Sequence, residues 1–310
     1  MKKLSILIAS LMVLFVACQN SSSKKDTANQ PTQEIDLESH PGKELMATNC
    51  YSCHAPSEGP ENRIAPPMHA VKMHYNTEGI SKEEFVANIL AFHKNPVAEN
   101  SKMPNAIEKF GIMPKFGFPD KNIEQIAEYM FLADLNKNLQ GNSMGNMEGK
   151  STAEIGLNYA MSTKQQLGKN LMNAIKTEGT PDAIAFCNVH AYPITDSLAK
   201  IYNLSIKRVT DKPRNPDNMA NEAELAHIET FKNALADGKE PESIINETDQ
   251  MVNFYYPIVT NGMCLQCHGE PNKEIDEATL AQLNNLYPDD KAKGYAMNQV
   301  RGIWSISWEK

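Results

Sequence analysis

The chain has 310 residues, with 30 basic against 38 acidic side chains and a net charge of −8. That acidic balance, with no basic run longer than Lys24-Lys25, argues against a nucleic-acid binder. Hydrophobic residues at 41% exclude wholesale disorder, and six cysteines in so long a chain exclude a disulfide-stapled miniprotein. The length predicts about two domains.

Residues 1–17 read as an address. Lys2 and Lys3 precede an apolar stretch from Leu4 to Ala17, too short to span a bilayer but right for a secretory leader. The ending Phe15-Val16-Ala17-Cys18 resembles a bacterial lipoprotein signal. The resemblance implies cleavage before Cys18 and acylation of its thiol, which would anchor the exported protein to a membrane at the cell envelope. Removing residues 1–17 takes away two lysines and no acids, so 28 cationic side chains face 38 acidic ones, a net −10. Residues 18–39, with Ser21-Ser22-Ser23, read as a flexible polar tether.

The first domain is expected over 40–135. Cys50-Tyr-Ser-Cys53-His54 matches C-x-x-C-H, the pattern of covalent haem c attachment. Two thiols one helical turn apart can each reach a vinyl group, and the adjacent His54 then meets the iron. A zinc knuckle would need a second nearby pair, which the sequence lacks. A helix is expected after Pro41, and Ser81 to Glu84 reads as a capping box opening another through about His93. Asp120 is expected to cap a third, carrying Ile123, Ile126, Ala127, Met130 and Phe131 at helical spacing. Met113-Pro114 and Met103-Pro104 both offer a sulfur as the sixth iron ligand. Met68, His69, Met73, His74 and His93 read as structural or exposed.

This segment resembles a class I cytochrome c, an all-α fold whose Met-Pro-x-Phe loop presents the axial methionine just before the last helix. The resemblance implies His54 and Met113 as ligands of the first iron, with Met103 as the alternative. It also implies that Pro66, 12 residues after His54, turns its carbonyl toward that histidine.

Residues 136–152 are poor in apolar side chains and contain three glycines, so they read as a linker that leaves the spacing of the two domains open. The second domain is expected over 153–310. A long helix is predicted from Ala153 to about Glu178. Another is predicted with Thr180 as cap and Pro181 in its first turn, carrying Cys187 and His190 and ending near Pro193. Strands are predicted around 204–210, 252–260 and 299–308, with an amphipathic helix over 219–237. Helices with separated antiparallel strands indicate an α+β domain.

Cys264-Leu-Gln-Cys267-His268 repeats the attachment motif, so a second covalent haem c is expected. Too little chain follows for another class I fold. Cys187, the one cysteine without another assignment, is a candidate iron ligand. The order Cys187, Arg208-Val-Thr-Asp-Lys-Pro-Arg214, Tyr256-Pro-Ile, C-x-x-C-H-G, Gly294-Tyr and Arg301-Gly-Ile resembles the PAS-like c-type haem domains. That family was long catalogued as a domain of unknown function. The resemblance implies His268 and Cys187 as ligands of the second iron, with His190 as the alternative. Arg208, Arg214 and Arg301 are candidates for pairing with haem propionates.

The expected function is one-electron transfer by a membrane-anchored dihaem cytochrome to a redox partner protein in the cell envelope, with no native disulfide. A haem-based redox or gas sensor is the alternative, and a dihaem peroxidase a third. The strand-rich C-terminal half argues against the last, which resembles two linked cytochrome folds.

Overall fold

A computed structural model describes residues 36–55, 63–135 and 149–310. The expected signal peptide, Cys18, residues 18–35 of the tether and residues 136–148 of the linker lie outside them. No helix among the described residues is long and apolar enough to cross a membrane.

The N-terminal region is helical. α1 (Pro41–Asn49) opens at His40, whose Nδ1 accepts from the Gly42 amide at 3.1 Å. At Cys50 the chain turns directly into α2 (Tyr51–His54). α3 (Met68–Tyr75), α4 (Lys82–Lys94), α5 (Pro104–Phe110) and α6 (Asp120–Leu132) follow. Ser81 caps α4 by accepting from the Glu84 amide, which is one half of the expected box.

Asp120 is not the cap of α6. Pro119, extended at φ −54° and ψ 139°, already makes the entry turn, and Asp120 becomes the first helical residue. Its carboxylate meets Lys94 Nζ at 2.6 Å, where an acid also suits the helix dipole. α6 buries Ile123, Ile126, Ala127 and Met130 against Met46, Met68 and Phe85. Gly42 lets α1 cross it, because a Cβ there would collide with the Gln125 carbonyl.

The second region begins with α7 (Thr152–Glu178), closed at its start by a full capping box between Ser151 and Glu154. α8 (Thr180–Tyr202) packs beside it. Its cap is Gly179 at φ 89°, not Thr180; the Thr180 hydroxyl instead donates to Gln266 Oε1 at 3.1 Å. α8 also runs through Pro193 rather than ending there. The carbonyl that proline leaves unpaired belongs to Val189, whose side chain is 61% exposed, so solvent can satisfy it.

β1 (Ser205–Val209), α9 (Glu222–Ala236), β2 (Ile244–Glu247), β3 (Met251–Val259), α10 (Gly262–His268), α11 (Glu277–Leu286) and β4 (Val300–Glu309) complete the chain. The strands form one antiparallel sheet in the order β1-β4-β3-β2. β2 was not expected, being short and flanked by polar residues. Its register ends at Tyr255, so Pro257 lies past its end, and a bulge follows at Ile258/Val259. Period-2 alternation buries both faces: Phe254, Tyr256, Trp304 and Ile306 meet α7, while Val209, Val300 and Ile303 meet Ile228 and Phe231 of α9.

The two regions dock directly, despite the open linker the sequence suggests. α2 lies on α7, with Gly168 at ordinary contact distance from Ser52. Lys164 Nζ donates to the Thr48 carbonyl at 2.6 Å. Tyr256 donates to Glu44 Oε1 at 3.1 Å. The Gly262 amide donates to the Phe116 carbonyl at 2.6 Å.

Gly156 of α7 sits beneath the Phe254 ring, and an added Cβ would collide with it. Alanine ordinarily favours a helix interior over glycine by about 1 kcal/mol. Here the sign reverses: Gly156→Ala is expected to lower stability by about 1–3 kcal/mol, read from urea unfolding.

Candidate haem sites

In the first site, Cys50 joins α1 to α2, and its carbonyl accepts from the Cys53 and His54 amides. One turn therefore presents both sulfurs and the imidazole together. They line an apolar cavity of about 480 Å³ between α2, α4, α5 and α6. That size lies within the usual range for a small-molecule pocket. Burial pushes the Cys50 thiol up to about 12 and the Cys53 thiol up to about 11, so both stay protonated near neutral pH.

His54 Nδ1 lies 2.6 Å from the Pro66 carbonyl. A carbonyl only accepts, so the ring proton sits on Nδ1 and the Nε2 lone pair is left for a metal. Burial lowers this imidazole's pKa, partly opposed by the Pro66 bond, and keeps it neutral. These features fit a haem: an apolar slot, two thiols on its wall and one oriented neutral histidine.

Met113 and Met103 both line the cavity. Met113 is half-buried in an extended segment between Gly111 and Gly117, both at positive φ. Met103 is 9% exposed and is the cap residue of α5. His93, expected to be structural or exposed, is half-buried in the same cavity wall and packs its ring 5.7 Å from that of Phe118.

The second site is built on α10. Asn261 caps it, accepting from the Met263 and Cys264 amides at 3.0 and 3.3 Å. Cys264 and Cys267 are half-buried, and burial pushes the Cys267 thiol up to about 11. His268 Nδ1 lies 2.8 Å from the Ala292 carbonyl, so this ring too carries its proton on Nδ1. Arg301 Nε then donates to the free Nε2 lone pair at 3.4 Å. Burial and the adjacent Arg301 and Arg214 hold the His268 pKa well below its ordinary value. The segment after Lys293 clamps the end of the helix: the Gly294 and Tyr295 amides donate to the Gly269 and His268 carbonyls.

Three arginines gather here. Arg214 pairs with the fully buried Asp290 at 3.1 Å and also reaches the Cys267 carbonyl. Arg208 and Arg301 make no ion pair with a carboxylate among the described residues, and burial lowers both pKa values, that of Arg301 to about 10. The Tyr295 hydroxyl is buried without a hydrogen-bond partner among the described residues, and its ring stands edge-on to His268. Uncompensated cations beside an orphaned hydroxyl suit an anionic group, which fits a haem with its carboxylates.

Cys187 is half-buried on α8 within electrostatic range of Arg208, Arg214 and Cys267. Burial raises its thiol pKa, and the two arginines oppose that rise. His190, the alternative, is exposed and packs against Phe186 at 4.7 Å. Among the described residues no group of three or more His, Cys, Asp or Glu side chains gathers to hold a bare metal ion. Sequence reasoning missed Ala292, Asp290 and Lys164. Only the Gly294-Tyr pair hinted at the clamp.

His93 yields a pH test. Burial lowers its pKa from the ordinary 6.5 to about 4, with Asp120 opposing. The unfolded imidazole therefore takes up its proton first on acidification. Stability is expected to fall as pH drops from about 6.5 to about 4. His93→Gln should flatten that slope in denaturant titrations of the haem-loaded protein.

Comparison with known proteins agrees with this division. A cytochrome c family model matches residues 39–131, and a Tll0287-like family model matches residues 138–308. No curated protein matches. Among solved structures, the chain is similar to the cyanobacterial haem protein Tll0287, at 19% identity and a TM-score of 0.39, covering 52% of this chain and 98% of that one. With a helical cytochrome c region ahead of a mixed domain on a four-stranded antiparallel sheet, this is a haem-binding redox protein, and the chain belongs to the Tll0287-like family.

Proposed function

We propose that the protein is a membrane-anchored electron carrier holding two covalent haem c groups. The observation that carries this reading is the proximity of the two attachment motifs. α2 packs on α7, and Lys164 of α7 lies within electrostatic range of Cys50, Cys53 and Cys264. The loop bearing Met113 rests on the start of α10, where a Cβ on Gly262 would come 2.7 Å from the Lys115 carbonyl. Two one-electron sites built this close favour transfer between them.

Bound haem supplies the Fe(III)/Fe(II) couple, and the protein's part is to attach, orient and shield. Cys50, Cys53, Cys264 and Cys267 attach. Pro66 and Ala292 orient His54 and His268 through their ring nitrogens. Met113 in the first site and Cys187 in the second are the proposed opposite ligands, with Met103 and His190 as the alternatives. Methionine ligation raises a potential and thiolate ligation lowers it, so the second domain should be the donor and the first the acceptor. Acylated Cys18 would hold the exported protein at the membrane, within reach of a redox partner protein in the envelope.

A pyridine haemochrome assay is expected to count two haems per chain. Met113→Ala should change the spectrum and lower the midpoint of the first site alone, and Cys187→Ala should change the second alone. A titration placing the second-domain haem at the higher potential would overturn the proposed direction of flow.

A further inference from the structure

Lys164 stands out among groups the proposed function does not use. It lies in the middle of α7, half-buried, and its ammonium donates to the Thr48 carbonyl, two residues before Cys50. One turn further along, Gly168 faces Ser52, so positions 164 and 168 present the same face of α7 to the first motif. The cysteines in electrostatic range come from both motifs, Cys50 and Cys53 of the first and Cys264 of the second. No carboxylate among the described residues ion-pairs with this ammonium, and the group it bonds is a neutral carbonyl. A clamp between domains does not require a charge at this position, since a neutral donor would bond Thr48 as well. An unneutralised cation out of bulk water acts at longer range than one on the surface.

We propose that Lys164, held against the first motif through Thr48, is a charge shared by both haem sites, so that one ammonium favours the reduced state of each. The inference rests on the two-haem reading above. Each site gains one electron on reduction and its net charge falls by one. A nearby positive charge disfavours the more positive oxidised form, so both midpoints are raised together. Lys164 is thus a positioning residue for electron energy and not a ligand. The shared placement also means that a change at one residue moves two sites built in different domains.

The test is mediated spectroelectrochemical titration of the haem-loaded full chain, with dithionite as reductant. Lys164→Met, Lys164→Gln and Lys164→Arg are compared with wild type, and Lys200→Met on the exposed surface of α8 is the control. Loss of the charge in Lys164→Met is expected to lower both midpoints together. At fixed ambient potential the reduced-to-oxidised ratio of each site should fall by about tenfold, as for a unit charge about 12 Å from the redox centre at an effective dielectric of about 20. The ligand bands should stay unchanged. Lys164→Arg should restore both midpoints, and Lys200→Met should move neither. Lys164→Gln keeps a donor for Thr48 and carries the same test if the Met variant does not accumulate. Wild-type midpoints in the uncharged variants, or a shift at only one site, would overturn the proposal while leaving the two-haem reading intact. A haemochrome count other than two would overturn both.

Discussion

The packing of α2 against α7 is the contact on which the rest of the arrangement depends. α7 buries one face on the sheet through Ala160 and Gly156 and offers another, through Lys164 and Gly168, to the first attachment motif. Gly156 makes the packing on the sheet possible by admitting the Phe254 ring, and Gly168 faces Ser52 at ordinary contact distance. A single rigid element therefore sets the position of one motif relative to the sheet, and the sheet in turn positions the other, because β3 runs directly into α10 through Asn261. The spacing of the sites is fixed by packed secondary structure and is independent of the length of chain between the domains.

Much of this was legible in the sequence. The attachment motifs were, because their chemistry demands a fixed spacing. So were the long helices and three of the four strands, because amphipathic periodicity survives in segments that bury one or both faces. Cap residues were read less well. Asp120 and Thr180 carry the right side chains, but Pro119 and Gly179 supply the backbone turns, and the polar groups go to Lys94 and Gln266 instead. Pro193 reads as a helix end only when burial is assumed, and it lies on an exposed face. Inter-domain docking left no local signal. The bonds from Lys164 to Thr48 and from Tyr256 to Glu44 join residues more than a hundred positions apart, and nothing in either neighbourhood announces them.

The two histidines follow one rule in different surroundings. Each imidazole gives its Nδ1 proton to a backbone carbonyl, Pro66 in one site and Ala292 in the other, and so presents Nε2 as a lone pair. A backbone carbonyl serves well here because no side-chain rotamer can withdraw it. Pro66 was implied by the resemblance to class I cytochromes c. Ala292 could not be foreseen, since any residue supplies the same carbonyl and only the Gly294–Tyr295 clamp brings it to the ring.

Beyond the histidines the sites diverge electrically. The first is walled mostly by apolar and neutral side chains, with the exposed Lys176 among them, and the second is ringed by Arg208, Arg214 and Arg301. Cations beside a redox centre favour its reduced form, so this ring alone would raise the second potential. The same cations stabilise a thiolate: Arg208 and Arg214 both pull the Cys187 pKa downward against burial. A thiolate on iron lowers the potential by direct donation. Two opposing effects thus share one set of residues, and they act at different ranges. The ligand acts through a bond to the metal, whereas the guanidinium groups act through space and are partly spent on Asp290 and on backbone carbonyls. On the proposed ligation the bond outweighs the through-space effect, so the arginines serve more to offset the burial that raises the Cys187 pKa, and to hold anionic carboxylates, than to set the potential themselves.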